Sequence, residues 1–199
     1  DRDRWYYWPT LRDHLTSGKW TRAAVISLDQ TTDRILRQLP NPDTTQFDVR
    51  GLVLGYVQSG KTANFTALIA KAADCGYRLI IVLSGIDKGL RRQTQVRIEK
   101  ELIGPLGIYA DSVRYPPPGR QWHAFTNRNI DGDFMPGPGD AASLQGPQPV
   151  IMVVKKNGQV LRRLLRWLTD TSEDNLRTIP VLVMDDESDL ASIDTKGTY

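Results

Sequence analysis

Residues 51–62 read Gly-Leu-Val-Leu-Gly-Tyr-Val-Gln-Ser-Gly-Lys-Thr, and from Gly55 onward they match the pattern G-x-x-x-x-G-K-[ST] at every fixed position. Glycines at these positions let successive backbone N–H groups curl around an anion. Lys61 is then placed to reach the outer phosphates of a nucleoside triphosphate, and the Thr62 hydroxyl to hold Mg²⁺. The stretch therefore predicts a site for Mg²⁺-ATP.

From Val49 onward, short apolar runs alternate with helix-length segments. Such alternation is typical of βαβ units with a parallel sheet covered on both faces, so we expect an α/β domain. A strand directly before the pattern and a helix directly after it distinguish a nucleotide site from a glycine turn without a ligand. The predicted strands are 51–55, 79–84, 150–154 and 181–184, and the predicted helices are 63–75, 89–102 and 158–168.

The last predicted strand runs directly into the acidic segment Asp185-Asp-Glu-Ser-Asp189. Ligands of open α/β sheets bind at the carboxyl ends of the strands, where these carboxylates would lie. One carboxylate there can hold Mg²⁺, and a neighbour can orient or deprotonate the water that attacks the γ-phosphate. The alternative is simple capping, because the first turn of a helix also favours Asp and Glu.

The flanking regions differ in composition from this alternating part. Residues 1–45 predict a helical extension followed by a linker at Pro40-Asn-Pro42, which leaves 46–199 for the α/β lobe. The stretch 115–149 is rich in Pro and Gly and predicts a surface loop, with a lid or a DNA-facing insertion as alternatives. The aromatic cluster at 5–8 is expected to pack the extension onto its domain rather than to stack on bases.

The composition excludes several classes of protein. The 199 residues carry a formal charge of +3 with a pI near 9.0, which is compatible with nucleic acid but does not require it. Cys75 is the only cysteine, and His14 and His123 are the only histidines, so neither a disulfide nor a cysteine- or histidine-based metal cage is expected. No apolar run approaches the roughly 18 residues of a membrane span, so we expect a cytoplasmic protein.

Four stretches carry a resemblance to a known family. Asp186-Glu-Ser-Asp189 is similar to the D-E-x-D box of superfamily 2 helicases, with Ser188 in place of the usual alanine. Together with residues 51–64, Leu90-Arg-Arg-Gln-Thr-Gln95 and Lys155-Lys-Asn157, the segment 185–192 resembles the Z1 domain family. These are bacterial proteins described as candidate endonucleases with a helicase-type ATPase core, found near restriction and phage-defence systems.

The resemblance implies a RecA-like P-loop NTPase lobe with a parallel central sheet. It implies catalytic roles for Lys61 and Glu187, and Mg²⁺ ligation by Thr62 and Asp186. It also implies DNA, single-stranded or duplex, as a partner, together with a second RecA-like lobe and other defence subunits. The residues expected to bind the nucleotide are Gly55, Gln58, Ser59, Gly60, Lys61, Thr62 and Ala63.

By the same resemblance, the helix after strand 79–84 is the candidate face for the nucleic-acid backbone. Its cations are Lys88, Arg91, Arg92 and Arg97, and the competing interpretation is a solvated helix face balanced by Glu99 and Glu101. Lys155, Lys156 and Asn157 follow a strand end and either face the nucleotide or form a solvated turn.

Three alternatives to a DNA-dependent ATPase stay open. The first is an ATP-gated assembly switch that hydrolyses without translocating, and the second is a small-molecule phosphotransferase with the same phosphate loop. The third is a nuclease that uses the acidic segment 185–196, where Asp194-Thr-Lys196 offers a loose acidic-x-lysine pattern. We also expect the chain to be part of a longer protein whose second lobe supplies an arginine finger.

Overall fold

The computed structural model describes residues 2–18, 20–44, 46–53, 61–103, 119–137, 140–170 and 178–186. The chain divides into two compact units, Asp1–Tyr77 and Arg78–Tyr199. This division groups the helix after the phosphate-binding pattern with the N-terminal helices, whereas the sequence places a boundary near residue 45. None of the helices in the described part is long and apolar enough to cross a bilayer.

In its described residues, the first unit contains three α-helices, which we call α1 (Tyr7–Ser17), α2 (Arg22–Leu36) and α3 (Lys61–Cys75), and a short 3-10 helix over Arg2–Arg4. Helix α2 begins after Thr21, whose hydroxyl oxygen accepts a 3.2 Å hydrogen bond from the Ala24 N–H. The helices bury side chains spaced three and four residues apart, which gives each an apolar stripe. The buried side chains of α1 and α2 are Tyr7, Trp8, Leu11, Leu15, Val25, Leu28 and Thr32.

The predicted helix over 63–75 is confirmed and begins two residues earlier than expected, at Lys61. The predicted strand over 51–55 is wrong in its described part, because residues 51–53 form no strand. The side chains of Leu52 and Val53 are 72% and 62% exposed. An apolar run becomes a strand only where a neighbour completes its hydrogen-bond ladder, and no described segment pairs with these residues.

The second unit is built on a parallel sheet of four strands, which confirms an α/β fold. The strands are β1 (Leu79–Ser84), β2 (His123–Ala124), β3 (Val150–Lys155) and β4 (Val181–Asp185). Their order across the sheet is β2-β3-β1-β4, and every paired strand is parallel. In the register, Leu79 faces Val150 on one side and Val181 on the other, so the carboxyl ends of β1, β3 and β4 lie together.

Two main helices complete this unit, α4 (Lys88–Ile98), which continues as a π-helical turn over Glu99–Ile103, and α5 (Gly158–Asp170). Asp87 caps α4 by accepting hydrogen bonds from the N–H groups of Gly89 and Leu90. The two central strands, β1 and β3, are buried along nearly their whole length, as expected for central parallel strands, whereas Val183 of the edge strand β4 is 55% exposed. The cluster on one face contains Leu79, Ile81, Phe134, Leu144, Val150, Met152, Val154, Val160, Leu164 and Ile179.

The stretch predicted as a surface loop contributes to this core. Phe134 and Leu144 are 0% and 1% exposed, and Trp122 is also buried. The stretch also contains the short strand β2 and a 3-10 helix over Asp140–Gln145. The surface-loop prediction is therefore wrong for these residues, because large apolar side chains are buried wherever the fold offers a site, despite Pro- and Gly-rich neighbours.

Candidate functional site

The phosphate-binding pattern leads directly into helix α3. Residues 54–60 lie outside the described residues, and this includes four predicted nucleotide ligands, Gly55, Gln58, Ser59 and Gly60. The backbone of α3 begins at Lys61, the lysine of the pattern, and continues through Thr62 to the buried Ala63. The side chains of Lys61 and Thr62 are likewise outside the description. The N-terminus of a helix attracts anions, so its place next to the pattern suits phosphate.

Helix α3 is held to α2 by a buried ammonium group. The side chain of Lys71 is 0% exposed, and its Nζ lies 2.5 Å from Oδ1 of Asp29 and 2.6 Å from Oδ1 of Asp33. It also donates a 2.8 Å hydrogen bond to the Asp29 carbonyl and lies 4.5 Å from the centroid of the Trp8 ring. A buried charge needs such partners, and here they come from both other helices of the unit.

A second anchor joins α3 to the start of α1. The Asp74 carboxylate accepts hydrogen bonds from the backbone N–H groups of Tyr6, Tyr7 and Trp8, at 2.6, 2.9 and 2.8 Å. The first N–H groups of a helix have no partner within it, and a carboxylate there also complements the helix dipole. The burial of Tyr7 and Trp8 confirms that the aromatic cluster packs the extension.

In the second unit, β4 carries the acidic segment to the carboxyl edge of the sheet. Asp185 ends the strand, and the Asp186 N–H donates a 2.8 Å hydrogen bond to the Leu83 carbonyl at the end of β1. Glu187, expected to be the catalytic carboxylate, lies outside the described residues, as does the rest of the segment to Lys196.

Lys156 links the ends of three strands at this edge. It follows β3, and its backbone N–H donates to the carbonyls of Ser84 and Gly85 after β1. Its Nζ donates 2.8 Å hydrogen bonds to Oδ1 of Asp185 and to the Asp186 carbonyl, and its side chain is only 5% exposed. Lys156 is therefore a bridge to the acidic segment and not a member of a solvated turn.

The donor chemistry at this edge fits Mg²⁺, which prefers carboxylate oxygens and keeps several waters and phosphate oxygens as its other ligands. The Asp185 carboxylate is bound to Lys156, and Mg²⁺ ligation by Asp186 stays a prediction. Across the described ranges, no group of three or more His, Cys, Asp or Glu side chains could hold a metal by itself.

The cations of α4, expected to face nucleic acid, have partners inside the second unit. Lys88 forms an exposed ion pair with Asp131 at 2.7 Å, and Arg97 pairs with Glu101 at 3.2 Å. Arg92 donates a 3.0 Å hydrogen bond from Nε to the Arg128 carbonyl. For Lys88, Arg92 and Arg97, contact with DNA stays a prediction.

Arg91 does not belong to an exposed face, which corrects the interpretation of α4. It is 0% exposed, and its guanidinium donates to the carbonyls of Asn127, Asn129 and Gly132 in the segment after β2. Burial lowers the pKa of Arg91 below its ordinary value, while the nearby carboxylates of Asp133 and Glu99 oppose that change. In this position Arg91 ties α4 to the segment instead of reaching a phosphate.

One turn farther along α4, a polar network reinforces the same link. Thr126 Oγ1 donates to Gln95 Oε1 at 2.7 Å and accepts a 2.8 Å hydrogen bond from the Val153 N–H. Gln95 Nε2 donates to Glu99 Oε1 at 3.0 Å, and Arg128 pairs with the same buried glutamate. Sequence reasoning missed these roles, as it missed Lys71 and Asp74, because charge and spacing do not reveal which polar side chains are buried.

Comparisons of the chain with protein-family models, with curated proteins and with solved structures gave no match.

Proposed function

We propose that this chain is the Mg²⁺-dependent ATP-binding and hydrolysis module of a DNA-acting protein similar to superfamily 2 helicases, of the Z1 type. The observation that carries the proposal is the start of α3 at Lys61, the lysine of a complete G-x-x-x-x-G-K-[ST] pattern. A helix N-terminus that directly continues this pattern supplies both N–H donors and a positive dipole end for phosphate.

The acidic segment gives independent support. A parallel sheet directs the carboxyl ends of its strands toward the ligand, and β4 ends there with Asp185 and Asp186. In the proposed mechanism, Lys61 and the backbone amides of the loop neutralise the phosphate oxygens, and Thr62 and Asp186 hold Mg²⁺. Glu187 orients the attacking water. Mg²⁺ itself neutralises charge that develops on the phosphates.

In this proposal, the groups of the chain do not complete the reaction by themselves. In related chemistry a second lobe supplies an arginine finger worth about a thousandfold or more in rate. We therefore propose that the chain binds ATP and hydrolyses it slowly until a second RecA-like lobe is present. DNA and other subunits of a restriction or phage-defence system are the proposed partners.

Nucleotide binding tests the proposal directly. A fluorescent ATP analogue titrated with Mg²⁺ should bind the parent chain, and Lys61→Ala should weaken binding at least about tenfold. The matched control is Lys100→Ala, since Lys100 is an exposed lysine on the helical turn after α4. Equal binding by the parent and Lys61→Ala would refute the nucleotide site.

Hydrolysis separates the DNA-dependent ATPase from its alternatives. For the protein with its second lobe, we expect ATP turnover that DNA stimulates and that both Lys61→Ala and Glu187→Gln abolish. Turnover that ignores DNA but disappears in both variants would instead favour an assembly switch. Turnover that requires a small acceptor molecule would favour a phosphotransferase. DNA cleavage that disappears when Asp194 is substituted would favour a nuclease.

A further inference from the structure

Helix α5 carries three arginines, Arg162, Arg163 and Arg166, and no carboxylate before Asp170 at its last position. Arg162 and Arg166 are exposed and lie one turn apart, so their Cβ atoms are about 5–6 Å from each other. This is the densest group of arginines on one described helix of the second unit.

These three arginines differ from the cations of α4 in their bonding. Within the residues that the structure describes, none of the three guanidinium groups of α5 has a hydrogen bond or an ion pair. The Nε atom of Arg163 is buried and still lacks an acceptor. On α4, by contrast, Lys88, Arg91, Arg92 and Arg97 all bind groups of the same unit. Among the described helices of this unit, the arginines whose guanidinium groups lack an internal partner are those of α5.

The apolar face of α5 is already occupied. Val160 and Leu164 are buried, and the Trp167 ring packs against Phe125 and Phe134 with centroids 5.4 Å apart in both pairs. A basic amphipathic helix that binds a membrane inserts its apolar face into the lipid. Because Val160, Leu164 and Trp167 pack into the protein core, α5 offers a partner its arginine-bearing face together with Leu165, which is 64% exposed.

We propose that this face of α5, defined by Arg162, Arg163 and Arg166, binds the phosphate backbone of DNA. This assignment rests on the proposed function, which supplies DNA as the partner. It places the DNA contact on α5 instead of α4. Guanidinium groups suit phosphate because their planar fork can donate two hydrogen bonds to one phosphate group. Contacts of this kind are independent of base sequence and are accompanied by counterion release, so they weaken as salt increases.

The test compares two double variants that remove the same charge at the same helical spacing. Arg162→Gln/Arg166→Gln changes the proposed surface, and Lys88→Gln/Arg92→Gln changes α4, where both cations have internal partners. Binding of fluorescein-labelled single-stranded and duplex DNA is followed by anisotropy between about 50 and 200 mM salt. Circular dichroism and the binding of a fluorescent ATP analogue are measured on every variant.

We expect the α5 variant to bind DNA about tenfold more weakly at low salt. We also expect the slope of log affinity against log salt to fall by about 1.4 for single strands and about 1.8 for duplex, the value for two lost phosphate contacts. The α4 variant should keep most of the parent's affinity. ATP-analogue binding should be unchanged in both variants.

Equal losses in the two variants would overturn the proposal, and so would a parent chain that does not bind DNA. Competition by polyglutamate as effective as that by DNA would show an acidic protein partner and would also overturn it. Failure of the proposed function would give a different result. In that case the parent chain would not bind the ATP analogue, or Lys61→Ala would bind it as tightly as the parent does, while DNA binding can persist.

Discussion

The ammonium group of Lys156 donates a 2.8 Å hydrogen bond to the carboxylate of Asp185, across the end of the strand that lies between them. A second bond of the same length reaches the Asp186 carbonyl. One nearly buried side chain thus holds the Asp185 carboxylate and the Asp186 backbone, and under the proposed function it would position Asp186 for Mg²⁺.

Lys156→Met should raise the Mg²⁺ concentration needed for half-maximal ATP-analogue binding by about tenfold, because the Asp186 backbone loses its anchor. Lys156→Arg should restore part of the effect, since it keeps a donor at the same site. Nucleotide binding without Mg²⁺, which depends on the phosphate loop, should not change. An unchanged Mg²⁺ midpoint in Lys156→Met would show that the bridge serves stability alone.

The burial of Lys71 predicts that removing the charges of its two partners costs more stability than removing Lys71 itself. Asp29→Asn/Asp33→Asn leaves an uncompensated ammonium that is 0% exposed, and we expect it to cost about 3–5 kcal/mol. Lys71→Met leaves carboxylates that still reach water, with exposed fractions of 32% and 15%, and should cost less. Urea unfolding monitored by circular dichroism gives both values. A Lys71→Met variant at least as unstable as the double variant would contradict the explanation.

Asp33 predicts how the first unit responds to acid. Burial opposes ionisation of this carboxyl, but hydrogen bonds from Arg2 and Lys71 outweigh burial and hold its pKa below the ordinary value of 3.8. Since the folded-state pKa is depressed, the carboxylate contributes full stability above pH 3.8. That contribution is lost as the pH falls from 3.8 through the lower folded-state pKa.

We therefore expect Asp33→Asn to flatten the fall of unfolding free energy below pH 3.8, besides lowering stability at neutral pH. Denaturant unfolding at a series of pH values measures this difference. Asp43→Asn is a suitable control, because Asp43 is an exposed carboxylate in the same unit. Parallel pH profiles for the parent and Asp33→Asn would exclude the proposed linkage.

The sequence predicts the α/β class because β1, β3 and β4 are continuous apolar runs separated by helix-length segments, a pattern typical of parallel sheets. The central strands β1 and β3 are buried on both faces, whereas the edge strand β4 is only partly buried. The sequence does not predict β2, because a strand of two residues is too short to show a hydrophobic alternation. It predicts a strand through Leu52 and Val53, which are exposed, because composition does not show whether a pairing partner exists. The position of Asp185 and Asp186 at the end of β4 is predicted correctly, since it follows from the strand that precedes them.

The sequence pattern does not show which charged side chains are buried. Arg91 and Arg92 are neighbours with the same charge, yet one is 0% exposed and the other lies at the surface. Helical geometry turns adjacent residues about 100° apart, so one faces the segment after β2 and the other faces water. Only the fold decides which of the two is buried and which is exposed.

This difference in burial predicts that substitution lowers stability at Arg91 but hardly changes it at Arg92. Arg91→Met should lower the free energy of unfolding by about 1–3 kcal/mol, because buried carbonyls lose a charged donor. Arg91→Lys should recover little of it, since one ammonium cannot reproduce the fork that serves Asn127, Asn129 and Gly132. Arg92→Gln should stay within about 0.5 kcal/mol of the parent. Parental stability combined with a loss of DNA affinity in Arg91→Met would contradict this interpretation. That result would place Arg91 on the nucleic-acid surface and argue against the DNA-binding proposal for α5.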